Sequence, residues 1–254
     1  MRFIKPSYEI MHCPDGEEVL RLLELAARTC YKSEDKITTG TGCPMCAGGG
    51  FVTPGYRCDE CGGSGWEVEP SSYAMIRKIL TSGHHSVIEH LSLTVRFVCN
   101  RGVTHELVRH RLASYSQEST RYCNYSKGKH GSELSIIEPS YRPMPPASHG
   151  VKDVDIERRK VWEHALRTIE AAYLNLIELG EKPQQARDIL PIGLKTEVVT
   201  SANLREWRHI LNLRGVNKRA HPQIRELMVP LLLDLSARIP LIFDDLMGQL
   251  DDSA

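Results

Sequence analysis

The chain lacks several features that would place it in a specialised class of protein. It has no surplus of either charge, because 32 basic residues balance 32 acidic ones and the formal net charge is +0. This balance argues against a general nucleic-acid coat protein, which would carry a basic surplus. Aromatic residues are only 6% of the 254 residues, so platforms for stacking bases are scarce. Glycine and proline, at 19 and 14 residues, are too few for a fibrous or disordered chain.

Long apolar runs are also missing. Residues 1–18 have no apolar segment between a basic start and a small-residue cleavage site, so no secretory signal is predicted. The longest apolar candidate, residues 228–243, is interrupted by two prolines and by Asp234 and Arg238. It falls short of the roughly 18 apolar residues that span a bilayer. We therefore expect a cytoplasmic protein with no membrane partner, whose cysteines are mostly reduced.

Four of the eight cysteines lie within 19 residues. They form two C-x-x-C pairs separated by eleven residues, and each pair continues into glycines as C-x-x-C-x-G-x-G. Two such pairs at this spacing are typical of a tetrahedral four-thiolate zinc site. Glycine after a thiolate pair lets the backbone turn sharply around a metal. The predicted zinc ligands are Cys43, Cys46, Cys58 and Cys61.

This repeat resembles the cysteine-rich knuckles of the DnaJ co-chaperones, in which two copies share one zinc ion. A flexible loop with reduced or disulfide-paired thiols is the alternative interpretation. Four thiolates leave no open position for water, so the predicted Zn²⁺ would be structural. The other cysteines occur singly, at Cys13, Cys30, Cys99 and Cys123.

Apolar periodicity predicts an α+β fold that mixes helices with an antiparallel-type sheet, because strands and helices follow no regular βαβ alternation. The predicted helices cover 15–30, 72–82, 103–113 and 154–179, and the predicted strands cover 91–97 and 194–202. Asp15 and Glu18 are predicted to cap the first helix, and Gly83 is predicted to close the second. The apolar stripe of the first helix carries Val19, Leu22, Leu23, Ala26 and Cys30, and that of the fourth carries Val161, Ala165, Ile169, Ala172, Tyr173 and Leu176. The C-terminal third is otherwise expected to be helical. Residues 37–66 are glycine-rich and carry the cysteine pairs, and residues 138–149 form a proline-rich connection.

Two windows of the neutral chain are locally basic. Residues 101–129 contain six Lys or Arg against two acidic residues, and residues 205–225 contain six against one. The planar fork of arginine suits bidentate contact with phosphate and with carbonyl edges. Such windows suit a nucleotide or a phosphate-bearing cofactor, although a solvated, charged helix face is the alternative interpretation.

The first window contains a specific motif. Arg109-His110-Arg111 is followed, after seven residues, by Ser119-Thr120-Arg121, which gives the pattern R-H-R, seven residues, S-x-R. This pattern resembles the signature of the flavin-dependent thymidylate synthases. The upstream GHHSVIEH at 83–90 is similar to the family's Gly-His-x-Ser/Thr-x-x-Glu-His segment. Downstream, QQARDILP at 184–191 and SANLREWRHILNLR at 201–214 follow in the family's order.

The resemblance implies an enzyme that reductively methylates dUMP to dTMP. Methylenetetrahydrofolate would be the carbon donor, reduced FAD would supply the hydride, and NADPH would reduce the flavin. The two arginine-rich windows suit a site that holds two phosphate-bearing molecules and one glutamate-tailed folate. Because the flavin carries the redox chemistry, the protein mainly positions the bound reactants and polarises them. The family also implies a homotetramer with shared active sites and no nucleic-acid partner.

Matching motif positions gives the site residues that the resemblance implies. The substrate-binding residues would be Glu106, Arg109, Gln117, Glu118, Ser119, Thr120, Arg121, Arg187 and Arg214. The flavin-binding residues would be His84, Ser86, Arg109, His110, Arg111, Gln117, Asn203, Leu204, Arg205 and His209. Arg214 matches the arginine that the family places at the uracil, where a cation would stabilise developing charge, and it is the predicted catalytic residue. Gln117 stands where several relatives have an acid.

Other chemistries fit the sequence less well. A nucleophilic Ser119 would need a base and an orienting partner, and the sequence shows no such set. The surroundings of Cys99 and Cys123 do not resemble the active-site segment of the unrelated cysteine-dependent thymidylate synthase.

HSVIEH lacks the H-x-x-E-H spacing of inverted metalloproteases, and no H-x-E precedes the first cysteine pair as a zinc deaminase requires. The remaining alternative is a zinc-knuckle protein that binds nucleic acid or a partner without catalysis.

Residues 37–66, called the knuckle segment below, are not part of the common core of the resembled family. They replace a short connection ahead of the helix predicted at 72–82. We therefore predict one catalytic domain, residues 1–36 and 67–254, with a small zinc knuckle at 37–66 inserted into it. A bound zinc ion would contribute on the order of 10 kcal/mol to local folding.

Overall fold

The computed structural model describes residues 1–128, 131–141 and 153–251. The strands are β1 (Arg2–Ile4), β2 (Ser7–His12), β3 (Thr41–Gly42), β4 (Phe51–Thr53), β5 (Tyr56–Arg57), β6 (Trp66–Val68), β7 (Ser92–Asn100), β8 (Ala113–Gln117), β9 (Ser135–Ile137) and β10 (Lys195–Asn203). The helices are α1 (Gly16–Thr29), α2 (Ser71–Thr81), α3 (Arg101–Leu107), α4 (Asp153–Glu178), α5 (Pro183–Ala186), α6 (Leu204–Leu211), α7 (Pro222–Arg238) and α8 (Asp244–Asp251). None of the helices in these three ranges combines the length and the apolar character that a membrane crossing requires.

The central element is a four-stranded sheet in the order β2–β7–β10–β8. The β2–β7 and β8–β10 pairs are antiparallel. At the ends of the β7–β10 pair, Leu204 N–H donates to the Leu91 carbonyl and Arg101 N–H donates to the Ile192 carbonyl, so these strands also run antiparallel. A separate two-stranded sheet pairs β1 with β9 in parallel. The predicted α+β fold with an antiparallel-type sheet is confirmed.

Both predicted strands show the expected alternation of buried and exposed side chains. In β10, Thr196, Val198, Thr200 and Ala202 are buried, and the residues between them are partly exposed. β7 buries Leu93, Val95, Phe97 and Cys99 in the same way, and it extends three residues beyond the predicted end. Strict alternation indicates that one face of the sheet packs against a core and the other is more accessible.

The chain divides into two compact units. The first comprises Met1–Cys13, Leu93–Ala202 and Glu206–Leu232, and the second comprises Pro14–Ser92, Asn203–Arg205 and Leu233–Ala254. The four-stranded sheet belongs to the first unit, and the knuckle segment belongs to the second. The division into a catalytic domain and an inserted knuckle at 37–66 stays a prediction.

In the first unit, the buried face of α4 matches only part of the apolar stripe that its sequence predicts, because Tyr173 is buried and Val161 is exposed. Leu166 and Tyr173 are buried in a cluster with Leu134, Ile136 and Leu194. Val161, which the sequence places on the apolar stripe, is 70% exposed. The stripe is weakly defined along this helix, so the packing of Trp162 and Leu166 decides which face is buried.

In the second unit, α1 begins with the predicted cap, because the Asp15 carboxylate accepts hydrogen bonds from the N–H groups of Glu17 and Glu18. Its buried face carries Val19, Leu20, Leu23, Glu24 and Ala27, whereas Leu22 and Cys30 of the predicted stripe are exposed. Gly83 ends α2 as expected, with a positive φ of 71° that suits glycine.

The helix predicted over 103–113 is wrong in its second half. α3 begins at an N-cap, where the Asn100 side chain accepts from Val103 N–H at 2.8 Å, and it ends at Leu107. Residues 113–117 instead form β8, which pairs with β10. The hydroxyl of Tyr115 lies 2.6 Å from the Leu107 carbonyl and 2.9 Å from the His110 carbonyl, so it closes the end of the helix. Pairing with a neighbouring strand overrides the local preference of this polar segment.

The knuckle segment, predicted as a glycine-rich stretch that carries the cysteine pairs, contains three short strands, β3, β4 and β5, and the first residue of a fourth, β6. β3 pairs with β6, and β4 pairs with β5. At its base, Thr38 N–H donates to the Ser71 hydroxyl at 2.8 Å, and Ser71 N–H donates to the Thr38 carbonyl at 3.2 Å. The two ends of the segment therefore meet. The proline-rich connection predicted at 138–149 lies mostly outside the described residues.

We predict that Trp207→Phe lowers the free energy of unfolding by about 1–3 kcal/mol, because it leaves a buried carbonyl without its donor. Trp207 is fully buried, lies 6.3 Å from Phe97 between ring centroids, and donates from Nε1 to the Leu93 carbonyl at 3.1 Å. Urea unfolding followed by circular dichroism measures the change. Val161→Ala, at an exposed site, is the control and should stay within about 0.5 kcal/mol of wild type. Equal losses in both variants would contradict the prediction.

Candidate active site

Arg214 lies in an irregular turn that directly follows α6. Residues Asn212–Val216 form a single π-helical turn, a feature often found at functional sites. Gly215 is buried against α7, where an added Cβ would come within 3.2 Å of the Met228 Cβ. Arg225 Nε donates to the Gly215 carbonyl at 2.9 Å. These contacts fix the turn and hence the direction in which Arg214 leaves the backbone.

The Arg214 guanidinium is held by two residues that the sequence places in the same site. Its Nη1 donates to Glu106 Oε2 at 2.7 Å, and its Nη2 donates to the Glu106 carbonyl at 3.3 Å. Its Nε donates to His110 Nε2 at 3.1 Å. The Arg214 and Glu106 side chains remain 23% and 30% exposed. The ion pair is therefore oriented from α3 and still accessible to a ligand.

His110 is the buried member of this group, at 5% exposure. Because its Nε2 accepts from Arg214, the ring is neutral and carries its proton on Nδ1. Burial, with smaller effects from the neighbouring Arg214 and His209, lowers the pKa of His110 to about 4. Its Nδ1 lies 3.6 Å from Glu206 Oε1, and its ring meets the His209 ring edge-on at 5.4 Å between centroids.

Glu206 and Tyr115 belong to the same surroundings, although the sequence did not single them out. Glu206 is buried at 6% exposure on α6. Burial, together with the charge of Glu206, raises the pKa of Tyr115 to about 12, so the phenol stays protonated. The sequence signal that marks Glu206 is an acid next to Trp207 and one helical turn before Ile210, on the apolar side of α6.

The loop after β8 gathers several of the predicted nucleotide-binding residues. Gln117 Nε2 donates to the hydroxyl oxygens of Thr104 at 3.0 Å and Thr196 at 3.3 Å, so its amide is held inside the first unit. Glu118 Oε2 accepts from Lys195 Nζ at 2.9 Å. Although burial opposes it, hydrogen bonds to Glu197 and Glu118 raise the pKa of Lys195.

The next turn of this loop meets Arg187. Arg187 Nη1 donates to the Thr120 hydroxyl at 3.4 Å, and the Ser119 hydroxyl accepts from Arg121 N–H at 3.3 Å. Thr120 is buried, while Arg121 is exposed with its guanidinium 5.6 Å from the centre of the Tyr122 ring. The structure thus brings Ser119, Thr120 and Arg187 together, and they form a group of hydrogen-bond donors suited to an anion.

The remaining predicted flavin-binding residues occur in both units. Arg109, Arg111 and His209 are exposed in the first unit. In the second unit, His84 and Ser86 line a cavity of about 490 Å³ that Lys36 and Lys78 also line.

The junction of β10 and α6 carries three more predicted flavin-binding residues, all in the second unit. The Leu204 side chain is fully buried and its N–H donates to the Leu91 carbonyl. Arg205 pairs with Glu89 at 2.5 Å. Asn203 is partly exposed.

A cavity of about 340 Å³ opens beside Glu106 in the first unit. Tyr141, Trp162, His221 and Gln223 line it, and none of them was predicted from the sequence. These residues come from segments far apart in the chain, so no local motif marks them. A cavity of this size falls in the range of small-molecule sites.

The two nucleophile alternatives gain no support. Burial raises the pKa of Cys99 to about 12, so its thiolate is strongly disfavoured. The Ser119 hydroxyl accepts a backbone hydrogen bond within its own turn, which is a structural contact.

The four predicted zinc ligands do come together. Their sulfur atoms all lie within 4.8 Å of one another, and Cys43 and Cys58 are buried. The prediction that these four cysteines lie together is therefore confirmed. The likeness of its repeat to the DnaJ knuckles stays a prediction.

Comparison with protein families shows to which family the chain belongs. A family profile described as thymidylate synthase complementing protein matches residues 11–241. The chain belongs to this family. The RHR motif, Glu106 and Arg214 all lie within the matched region.

Curated relatives in the family are flavin-dependent thymidylate synthases. The protein of Geobacter sulfurreducens is 35% identical over 173 residues, which cover 68% of this chain and 68% of that protein. The protein of Corynebacterium glutamicum is 29% identical over 257 residues, covering 94% and 84%. The predicted enzyme class is confirmed, and membership implies a flavin cofactor.

A solved structure shows the same fold. The UMP/dUMP methylase of Streptomyces cacaoi, bound with 5-Br dUMP, superposes with a TM-score of 0.69 over 98% of this chain and 97% of that chain. The sequences are only 20% identical, so this likeness speaks to the fold.

We predict that His110 makes the stability of the protein depend on pH between about 6.5 and about 4. The folded chain keeps this ring neutral down to about pH 4, whereas the unfolded chain protonates it near its ordinary pKa of 6.5. The unfolded state therefore binds more protons in this window, and stability falls as the pH falls through it. Above the window the ring is neutral in both states and contributes no slope.

Urea unfolding of wild type and His110→Gln across this pH window measures the effect. The glutamine oxygen can still accept from Arg214, but it does not titrate, so the variant should lose part of the wild-type slope. His164→Gln removes an exposed histidine of α4 and should keep that slope. The same pH slope in His110→Gln and wild type would contradict the prediction.

Proposed function

We propose that the chain methylates dUMP to dTMP, with methylenetetrahydrofolate as the carbon donor and NADPH as the reductant of a bound FAD. The observation that supports this most directly is the placement of Arg214 against Glu106 and His110, within a chain of the flavin-dependent thymidylate synthase family. Two segments about a hundred residues apart, one with Glu106 and His110 and the other with Arg214, form an oriented cation there, which suits a site where charge develops on a uracil ring.

The proposed role of Arg214 is to polarise the uracil ring. A guanidinium has five N–H donors and stays charged in proteins. Within the described residues, Glu106 and His110 engage three of these donors, which leaves two for the carbonyl oxygens of a pyrimidine. A fixed cation stabilises negative charge as it develops on the ring, without the cost of reorganising at that moment.

The neutral state of His110 supports this role. A protonated His110 would lose its capacity to accept from Arg214 Nε and would place a second cation beside it. Glu206, close to the other ring nitrogen, favours the tautomer in which Nδ1 carries the proton. His110 is thus proposed to position Arg214.

The nucleotide phosphate is proposed to bind at the turn after β8. Ser119 and Thr120 belong to that turn, and Arg187 donates to the Thr120 hydroxyl. Arg121 is exposed next to them. Arginine pairs with phosphate oxygens in a bidentate manner, which gives both affinity and orientation. Glu118 pairs with Lys195, which also contacts Glu197, so part of its charge is offset within the same loop.

The donor chemistry of the predicted flavin-binding residues fits a dinucleotide. Exposed Arg109 and Arg111 can pair with phosphates, and the side chains of His84, Ser86, Asn203, Arg205 and His209 offer donors and acceptors for the remaining polar groups. Leu204 is buried and has no polar side-chain group to offer. When bound, reduced FAD would supply the hydride. We further propose, from the family likeness, a cytoplasmic homotetramer with shared active sites.

An absorption spectrum of the purified protein, with and without dUMP, tests the proposed function. We expect bound flavin absorbance that shifts when dUMP is added, and dTMP formation when NADPH and methylenetetrahydrofolate are supplied. A colourless protein that takes up no FAD and does not bind dUMP would overturn it.

We predict that Arg214→Ala lowers kcat for dTMP formation by at least about 10²-fold, while FAD binding largely survives, because a charge-stabilising donor is lost at the ring. Arg219→Ala removes an exposed arginine three residues after the π-helical turn and should leave kcat near wild type. Rates come from a dTMP assay, and FAD content comes from absorbance. Turnover retained in Arg214→Ala would mean that another residue performs this role.

A further inference from the structure

The four-cysteine cluster is built from two copies of one backbone arrangement, placed fifteen residues apart. In each copy, backbone N–H groups turn back onto the carbonyls of both cysteines. The pairs are Gly48–Cys43 at 3.1 Å, Gly49–Cys46 at 3.0 Å, Gly63–Cys58 at 3.2 Å and Ser64–Cys61 at 3.1 Å. The two loops therefore present their thiols with the same geometry.

Reciprocal backbone hydrogen bonds also connect the two copies. Cys43 N–H donates to the Gly65 carbonyl at 2.8 Å, and Cys58 N–H donates to the Gly50 carbonyl at 2.9 Å. Gly50 and Gly65 have φ values of +74° and +81°, and a Cβ on Gly50 would lie 2.5 Å from the Gly63 carbonyl oxygen. Only glycine fits these positions, so the close approach of the two loops is encoded in the C-x-x-C-x-G-x-G repeat.

The sulfur positions match a metal ion and exclude a disulfide. The Cys43 and Cys58 sulfurs are 3.8 Å apart, and so are those of Cys46 and Cys61. A tetrahedron with metal–sulfur bonds of about 2.3 Å has edges of about 3.8 Å, which is the spacing of these two pairs. All four sulfurs lie within 4.8 Å of one another. A disulfide would need sulfurs about 2.05 Å apart.

Backbone donors are already directed at two of the sulfurs. Gly50 N–H donates to Cys46 Sγ at 3.2 Å, and Gly65 N–H donates to Cys61 Sγ at 3.3 Å. Such bonds stabilise a thiolate over a thiol and are typical of the outer shell around a thiolate-bound metal. They occur at equivalent positions of the two copies.

We propose that Cys43, Cys46, Cys58 and Cys61 bind one Zn²⁺ ion that folds the knuckle segment and takes no part in the methylation. Binding replaces four thiol protons by one Zn²⁺ ion and releases those protons. Four thiolates complete the tetrahedral shell, so no position remains for a reactive water. The short sulfur spacing suits a single ion, because a cluster of several irons would hold its thiolates farther apart.

The ion would stabilise local structure that extends beyond the cysteines. Trp66 directly follows Gly65, opens β6, and its ring meets Tyr73 of α2 edge-on at 6.1 Å between centroids. β6 pairs with β3, and this pair closes the base of the segment. Removing the ion should break the reciprocal hydrogen bonds between the two loops and change the surroundings of Trp66.

Metal analysis of the full-length protein, purified without chelators, tests the proposal. We expect about one zinc per chain in wild type and a loss of at least about tenfold in the Cys43→Ser/Cys58→Ser variant. Cys30→Ser removes an exposed cysteine outside the cluster and should keep wild-type zinc. Stripping the zinc should shift the tryptophan emission of wild type, and Trp66→Phe should abolish that shift.

A measurement on wild type alone covers the case in which the double variant fails to fold. Replacement of the metal by Co²⁺ should give the visible absorption of a tetrahedral cobalt–thiolate centre, because Co²⁺ adopts the same geometry. Four free thiols without metal, two disulfides by mass spectrometry, bound iron in place of zinc, or full zinc in the double variant would each overturn the proposal. None of these readouts depends on FAD or dUMP, so they separate this proposal from the proposed catalytic function.

Discussion

The contact between Arg214, Glu106 and His110 is the constraint on which the candidate site depends. It joins the end of α3 to the π-helical turn after α6, two elements about a hundred residues apart in the chain. A cation in this position would be costly without a carboxylate beside it, and it would be poorly directed without a second acceptor. Glu106 supplies the charge and His110 supplies the direction, because the buried ring stays neutral and accepts from Nε.

This constraint explains why the surrounding backbone is irregular. α3 stops at Leu107, Tyr115 closes its end, and the RHR motif occupies the turn that follows, so that His110 points inward while Arg109 and Arg111 stay exposed. On the other side, Gly215 packs against Met228 and allows the π-helical turn that carries Arg214. A regular helix in either place would move the side chains away from each other, since residues on a helix are spaced by a fixed rotation.

The knuckle segment follows a different physical logic. With little apolar material to bury, residues 37–66 cannot form an ordinary core, and exposed Met45, Phe51 and Tyr56 show how little they cover. Their order rests on reciprocal backbone hydrogen bonds around four sulfurs, which a metal ion would lock. The hydrogen bonds that order the segment are thus separate from the hydrophobic core elsewhere in the chain.

Features that depend on local spacing could be predicted from the sequence: the strands at 93–97 and 196–202, the Asp15 cap, the cysteine pairs, and the family motif with Glu106, His110 and Arg214. Three other features became visible only in the fold. Residues 113–117 form a strand, α4 buries Leu166 and exposes Val161, and Glu206 lies next to Nδ1 of His110. The reason is physical. Caps, alternation and metal spacing act within a few residues, whereas strand pairing, the buried face of a weakly patterned helix, and the neighbours of a side chain depend on contacts between distant segments.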